Sequence, residues 1–322
     1  MRRSFRSMKW RFFWLLLAVV GVCWLYLTYH TYGNWSFALA LRGKKLAAFV
    51  LVGIAAAFST ISFQTMTQNH FLTPNILGLD SLYVFVQTFL FFTAGGQQMA
   101  GTMSFRLFLL NVVLMVGISV GLAYSLLRKS RNDLFLLLMV GMILGTFFHS
   151  LSTFLQVIMD PNEYDLLQGK LFASFGNVNS QYLLLAGCVI IGVAVVLWHN
   201  SYALDVLHLG QDQAQSLGIS LSQFQLFLLL MISLLVGLST ALVGPVTFLG
   251  FIVANISYQM MDTFQHRPLF AAGSLIAILF LVCGQFFIEH LFQLTTTVSV
   301  VIEFTGGVYF VGKIIRERKQ QR

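Results

Sequence analysis

The 322-residue chain predicts an all-α, polytopic membrane protein with about ten transmembrane helices, and three observations carry that prediction. Hydrophobic residues fill 57% of the sequence and charged residues only 9%, where soluble domains carry roughly 25% charge. A chain so poor in charge cannot cover a water-facing surface, so lipid is the solvent for most of it. Apolar stretches recur at the length a helix needs to cross the bilayer, about 20 residues for about 30 Å of hydrocarbon. Those stretches are continuous, whereas barrel strands would alternate over about ten residues.

Helices are expected at 12–29, 46–67, 77–94, 105–127, 134–158, 181–199, 223–242, 245–260, 270–288 and 298–315. The first follows a basic stretch from Arg2 to Arg11. No small-x-small cleavage pattern follows it, so it reads as an uncleaved helix rather than a signal peptide. The second is preceded by Arg42, Lys44 and Lys45. The third and eighth are the weakest: Asp80 opens one, and only Gly244-Pro245 separates the other from the seventh. A polar segment at about 203–221 interrupts the apolar pattern between the sixth and seventh. Residues 1–322 read as one transmembrane domain. Cys23, Cys188 and Cys283 fall in expected helices without CxxC spacing, which argues against a disulfide or a metal site.

Charge orients the chain. An even helix count puts both termini on one side. With those termini inside, 14 of the 19 basic residues are cytoplasmic, and Arg42, Lys44, Lys45, Arg106 and Lys170 are the five outside. Cytoplasmic loops are the ones enriched in Lys and Arg. The polar segment 203–221 then lies in the cytoplasm. The net charge of +8 is a topology signal, and no folded basic segment exists to bind nucleic acid.

Several chemistries are excluded by what is missing. No Gly-x-x-x-x-Gly-Lys-Ser/Thr phosphate loop and no HExxH occur, so the chain does not bind ATP or zinc in those ways. Gly117 to Gly121 spells GxSxG, but a nucleophile elbow needs a strand-to-helix turn. Here it lies inside a helix, and the same residues, like Gly141 and Gly145, read as small-residue packing. An intramembrane enzyme would have to pair Ser119 with His149, without a supporting motif. Intramembrane charge is costly and usually functional. Glu303 and Asp80 would serve as relays in an ion-coupled secondary transporter, or else face water or a hydrogen-bond partner. Glu289 and His290 sit near the outer end of the ninth helix.

The segment Leu207 to Gly218 has its own physical logic. Two short helices joined at a Gly form a compact knob. Leu207, Leu209, Ala214 and Leu217 offer apolar contact, Gly210 and Gly218 allow sharp turns, and Asp212 with the glutamines forms a polar rim. The plainer reading is an ordinary loop.

Four segments, in order, resemble the permease subunits of iron-chelate ABC importers, the FecCD family, which includes the cobalamin importer's membrane subunit. The first runs from Arg42-Gly-Lys-Lys45 through Gly53, Gln64, Asn69, Pro74 and Gly78. The second is Leu207 to Gly218, similar to the family's Leu-x-Leu-Gly…Ala-x-x-Leu-Gly coupling segment. The third is Gly244-Pro245 through Gly250 to Asn255. The fourth is Val298 to Phe310, with Gly306-Gly307. The chain departs from the family at Ala254-Asn255, at Thr295 to Thr297, and at Glu289, where some relatives carry a basic residue. These departures resemble the second permease of heterodimeric siderophore importers.

The resemblance implies a type II ABC importer permease fold and a bacterial cytoplasmic (inner) membrane location. It implies a second, paralogous permease subunit, two cytoplasmic ABC ATPase subunits, and a substrate-binding lipoprotein or periplasmic protein outside. The implied cargo is a ferric siderophore, moved by alternating access, with cobalamin or haem as the other cargoes. No cofactor is expected on this chain, because ATP is used by the partner subunits, and the chain is not itself an enzyme. Leu207, Leu209, Gly210, Asp212, Ala214, Leu217 and Gly218 are the implied ATPase-coupling residues. Arg42 and Lys45 are the implied docking residues for the binding protein, where opposed charges steer encounter; snorkelling to the interface is the other reading. Gln64, Asn69, Pro74, Gly78, Gly244, Pro245, Gly250, Gly306 and Gly307 are the implied structural residues of the translocation helices.

Overall fold

The computed structural model describes residues 2–29, 35–95, 105–129, 134–176, 178–290 and 297–320. Arg131 and Arg322, two of the 14 basic residues counted as cytoplasmic, and Thr295-Thr296 lie outside the described residues. Among the described residues the chain forms thirteen α-helices and one 3-10 turn. They are α1 (Arg2–Thr28), α2 (Trp35–Thr67), the turn Pro74–Leu77, α3 (Leu79–Ala94), α4 (Phe105–Lys129), α5 (Leu134–Ile158) and α6 (Pro161–Leu171). There follow α7 (Ser180–His199), α8 (Ser201–Leu207), α9 (Gln211–Ser216), α10 (Leu221–Val243), α11 (Leu249–Met261), α12 (His266–His290) and α13 (Val298–Gln320).

Each of the ten expected stretches contains an α-helix. Among the described residues, seven helices (α1, α2, α4, α5, α7, α10 and α12) are long and apolar enough to cross a membrane. The expected third and eighth helices are shorter than read. Helix α3 has 16 residues and α11 has 13, about 24 and 20 Å, against about 30 Å of hydrocarbon. Each is entered through irregular backbone. The stretch 68–78 leads to α3 through the turn Pro74–Leu77, and Gly244 to Phe248 leads to α11. Helix α6 was not anticipated. Asp160 caps it by accepting from the Asn162 amide, Pro161 occupies its first turn and Lys170 its last, a favourable arrangement at both ends.

The core is built round α2, which packs on α12, α10, α11 and α7. Small residues bring these helices close. A Cβ added at Gly53 would lie 3.1 to 3.2 Å from Ile278 and Ala277 of α12, and one at Gly273 would lie 3.1 Å from Ala57. Helices α1 and α5 instead expose Trp14, Leu17, Trp24, Phe135, Ile143 and Phe154, as lipid-facing helices should. The pair Gly141 and Gly145 packs on Leu77 and Gly78, as expected of small residues. Gly117 and Gly121 do not: among the described residues, no neighbouring element comes within 4 Å of a Cβ at either.

Candidate coupling segment and transport core

At one end of the bundle, α8 and α9 form a two-helix knob between α7 and α10. Gly210 joins them at φ +118° and donates to the Leu207 carbonyl at 3.0 Å. Only Gly adopts that backbone without strain. Gly218, at φ +90°, ends α9: its amide reaches Gln215 O and the Ile219 amide reaches Ala214 O, both at 3.0 Å. That pair of bonds is a Schellman stop. The four apolar residues divide. Leu207 and Ala214 are wholly buried and anchor the knob, whereas Leu209 and Leu217 are 57% and 65% exposed. Asp212 is exposed beside them. The knob therefore offers two leucines and a carboxylate to a partner, and the other two apolar positions hold it to the bundle.

Its underside carries residues that the sequence reading missed. Gln68 Nε2 donates to the Leu207 carbonyl at 2.7 Å. His266, the first residue of α12 and fully buried, lies 2.6 Å from Asp205 through Nδ1 and 2.7 Å from Thr65 Oγ1 through Nε2. Arg267 donates to Ser201 at 3.1 Å and stacks over Tyr202. Burial, then the nearby His266, push His208 below the ordinary histidine range, with Asp205 opposing. The partners are about 60 to 200 positions apart in the chain, so no local spacing could signal them. A His opening an apolar helix after a polar turn was the only trace.

In the middle of the bundle the two helix breaks meet. Asn75 donates to Thr247 O at 3.3 Å. Gln64 donates to His70 O at 2.7 Å, and Asn69 accepts from the Phe71 amide at 2.9 Å, so both residues close α2 and shape the turn after it. Pro74 starts the 3-10 turn and Gly78 caps it against Gly145. Gly244, at φ +101°, lies against the backbone of Ala173, with Pro245 following. A Cβ at Gly250 would fall 2.1 Å from Thr60 Oγ1, and one at Gly306 would fall 2.4 Å from Phe248 Cβ; Gly307 faces open space. Asp80 lies in a small crevice with Ser59, Thr60, Thr240 and Thr247, and hydrogen-bonds Thr247. The crevice holds 40 Å³, about the space of one water. A chelate cannot pass through the subunit there. Lys313 of α13 bonds the Asn255 side chain. Ser119 pairs with Ser233 at 2.7 Å while His149 sits on the exposed face of α5, so the only nucleophile and base suggested by the sequence are not brought together.

At the opposite end, Arg42 donates to the carbonyls of Tyr26 and Tyr29 at 3.0 and 2.6 Å, covering the last turn of α1. Lys45 meets Glu289 at 2.6 Å, and Tyr26 and Gln285 donate to the same carboxylate oxygen. Both cations expected to dock a partner thus also hold α1, α2 and α12 together, while Lys44 is exposed. Beside them opens a cavity of 860 Å³, lined by Lys44, Lys45, Lys170, Tyr83, Tyr182 and Phe175.

The FecCD transport family matches residues 23–316. This chain belongs to the FecCD transport family. As a FecCD permease it is a transport subunit and not itself catalytic. It is 41% identical over 305 residues to the petrobactin import system permease protein YclO of Bacillus subtilis, covering 95% of this chain and 97% of that one. It is 36% identical over 277 residues to the petrobactin permease FatC of Bacillus anthracis, covering 86% and 78%. A solved metal-chelate-type ABC transporter in an inward-facing conformation superposes with a TM-score of 0.83 at 21% identity, over 96% of this chain and 99% of that one. The fold is the type II ABC importer permease fold.

Proposed function

We propose that this FecCD permease is the membrane subunit of an ATP-driven importer that carries a ferric siderophore of the petrobactin type across the bacterial cytoplasmic membrane by alternating access. The observation that carries this reading is the end-to-end similarity to a petrobactin permease, 41% over 95% of the chain. The geometry supports it. An anchored knob with two exposed leucines suits a groove on a soluble motor. Residues 1–322 act as one transmembrane domain, with both termini and the knob in the cytoplasm and the 860 Å³ cavity outside. The packed interior sends the cargo along a boundary with a second, paralogous permease. Two ATPases bind the knobs and consume the ATP, and this chain holds no cofactor. A substrate-binding lipoprotein or periplasmic protein delivers the chelate outside. Lys44 joins Arg42 and Lys45 in its recognition, because part of the charge of Lys45 is spent on Glu289.

The test is radioiron uptake in cells lacking the chain, offered ferric petrobactin, other siderophores, haem and cobalamin. Uptake of ferric petrobactin should return with the intact gene. It should not return with the double variant Gly210→Pro, Gly218→Pro, because Pro cannot adopt positive φ; membrane insertion of the variant is checked by blotting. Rescue confined to haem or cobalamin would reassign the cargo and keep the motor.

A further inference from the structure

We propose that Asp205, His266 and Thr65 form a latch that fastens the coupling knob to the ends of α2 and α12, and that these three are positioning residues through which the motor's stroke reaches the transport core. The inference rests on the ATP-driven reading above.

The latch is a chain of short contacts across three elements. Asp205 stands on α8. Its Oδ1 accepts from the His266 backbone amide at 2.7 Å and lies 2.6 Å from the His266 ring. One carboxylate oxygen thus satisfies both an orphan amide at the start of α12 and the imidazole beside it. The other ring nitrogen is 2.7 Å from Thr65, in the last turn of α2. With Nδ1–H donating to Asp205, Thr65 donates its hydroxyl proton to Nε2, and every polar atom of the ring is used. Two further ties run in parallel: Gln68 to the Leu207 carbonyl, and Arg267 to Ser201.

The order hydroxyl, imidazole, carboxylate is also that of a hydrolytic triad. Burial decides against that role, since His266 and Thr65 are 0% and 1% exposed and no substrate reaches them. What a network with so buried a centre, every polar atom of its imidazole bonded, does well is hold one arrangement.

That arrangement has a mechanical direction. Chain connectivity alone would pass a push on the knob to α7 and α10. The latch passes it to α2 and α12 as well. These two helices are packed along their lengths through Gly53, Ala57, Gly273 and Ala277. Helix α2 carries Thr60, which touches α11 at Gly250, beside the junction of the two breaks. A rigid, bonded path therefore joins the exposed leucines of the knob to the middle of the membrane.

The assembled importer, reconstituted with its partner permease, ATPases and binding protein, tests this in two ways. Spin labels at Gln213 and Gln265 report whether the knob and the start of α12 move together. The wild type should give one narrow distance that is the same with and without ATP and vanadate. Asp205→Asn and the near-isosteric Thr65→Val should broaden or shift it between states. In parallel, ATP hydrolysed per ferric petrobactin imported should rise about fivefold or more in both variants, with ATPase activity retained, and Thr65→Ser should restore the ratio. A wild-type distance that changes with nucleotide overturns the latch. So does a proportional fall of hydrolysis and import in the variants, which would make the cluster a brace only. Absence of ATP-dependent ferric petrobactin uptake by the wild type overturns the cargo reading instead, and the distances then decide the latch alone.

Discussion

Lys45 and Glu289 meet with side chains only 14% and 13% exposed, so both charges have lost much of their water. Such a pair is favourable only where further hydrogen bonds satisfy it, and Tyr26 and Gln285 supply these. Lys45→Ala should leave the carboxylate short of a donor and cost about 1–3 kcal/mol, read as a lower thermal unfolding midpoint in detergent. Lys45→Met with Glu289→Met should lose less than Lys45→Ala alone, since the buried charge goes too. Equal or additive losses would mean that the two do not interact. Both residues were visible in the sequence, one as a docking cation and the other as a departure from the family. They stand 244 positions apart, so nothing in the linear pattern could pair them. The knob divides along the same line: its boundaries, its glycines and its exposed Leu209 and Leu217 were legible, whereas the inward turn of Leu207 and Ala214 belongs to packing.

Among the elements, α2 begins at Trp35, eleven residues before the expected 46, so Arg42, Lys44 and Lys45 lie within it rather than ahead of it, while α3 and α11 begin two and four residues late. Hydropathy carries through Gly244 to Phe248 with only Gly244-Pro245 to mark the break, and Ile76-Leu77 extend the apolar run of α3 back across Gly78. A window of apolar residues registers burial, not the backbone angle of a glycine at its centre, so both helices were drawn too long. The shortening has a packing consequence. Helix α11 approaches α2 so closely that Gly250 has no room for a side chain against Thr60. Gly250→Ala should cost about 1–3 kcal/mol through forced separation of the two helices and lower uptake. Adding Thr60→Ala should recover part of the thermal midpoint, because the hydroxyl is the nearest obstacle. No recovery would place the strain elsewhere. Helix α6 is the opposite case, since its Asp-Pro start stands in the sequence but its polar residues form no apolar run.

For the whole molecule, the all-α membrane bundle, its buried centre and its lipid-facing flanks follow from composition and stretch length, whereas the expected count of ten spans does not match the seven helices that are long and apolar enough to cross among the described residues. The sidedness rests on Lys and Arg counts, and chemistry can check it directly. In a variant with Cys23, Cys188 and Cys283 replaced, Lys44→Cys should react with a membrane-impermeant maleimide in intact cells. Leu217→Cys should react only after the membrane is opened. The reverse pattern would invert the protein and move the motor to the wrong face.

Helix α2 runs for 33 residues, about 50 Å, with Arg42 and Lys45 near one end and Thr65 at the other. A single unbroken rod therefore carries, toward one end, the cations at which the delivery protein is expected to land, and its other end is bonded to the knob on which the proposed motor would act. Thermodynamic linkage then leaves no freedom of direction. If landing outside shifts the rod, nucleotide affinity inside changes by some factor, and bound nucleotide must change the affinity of landing by that same factor. The transporter would sense an arriving load and announce its own readiness through the same piece of backbone.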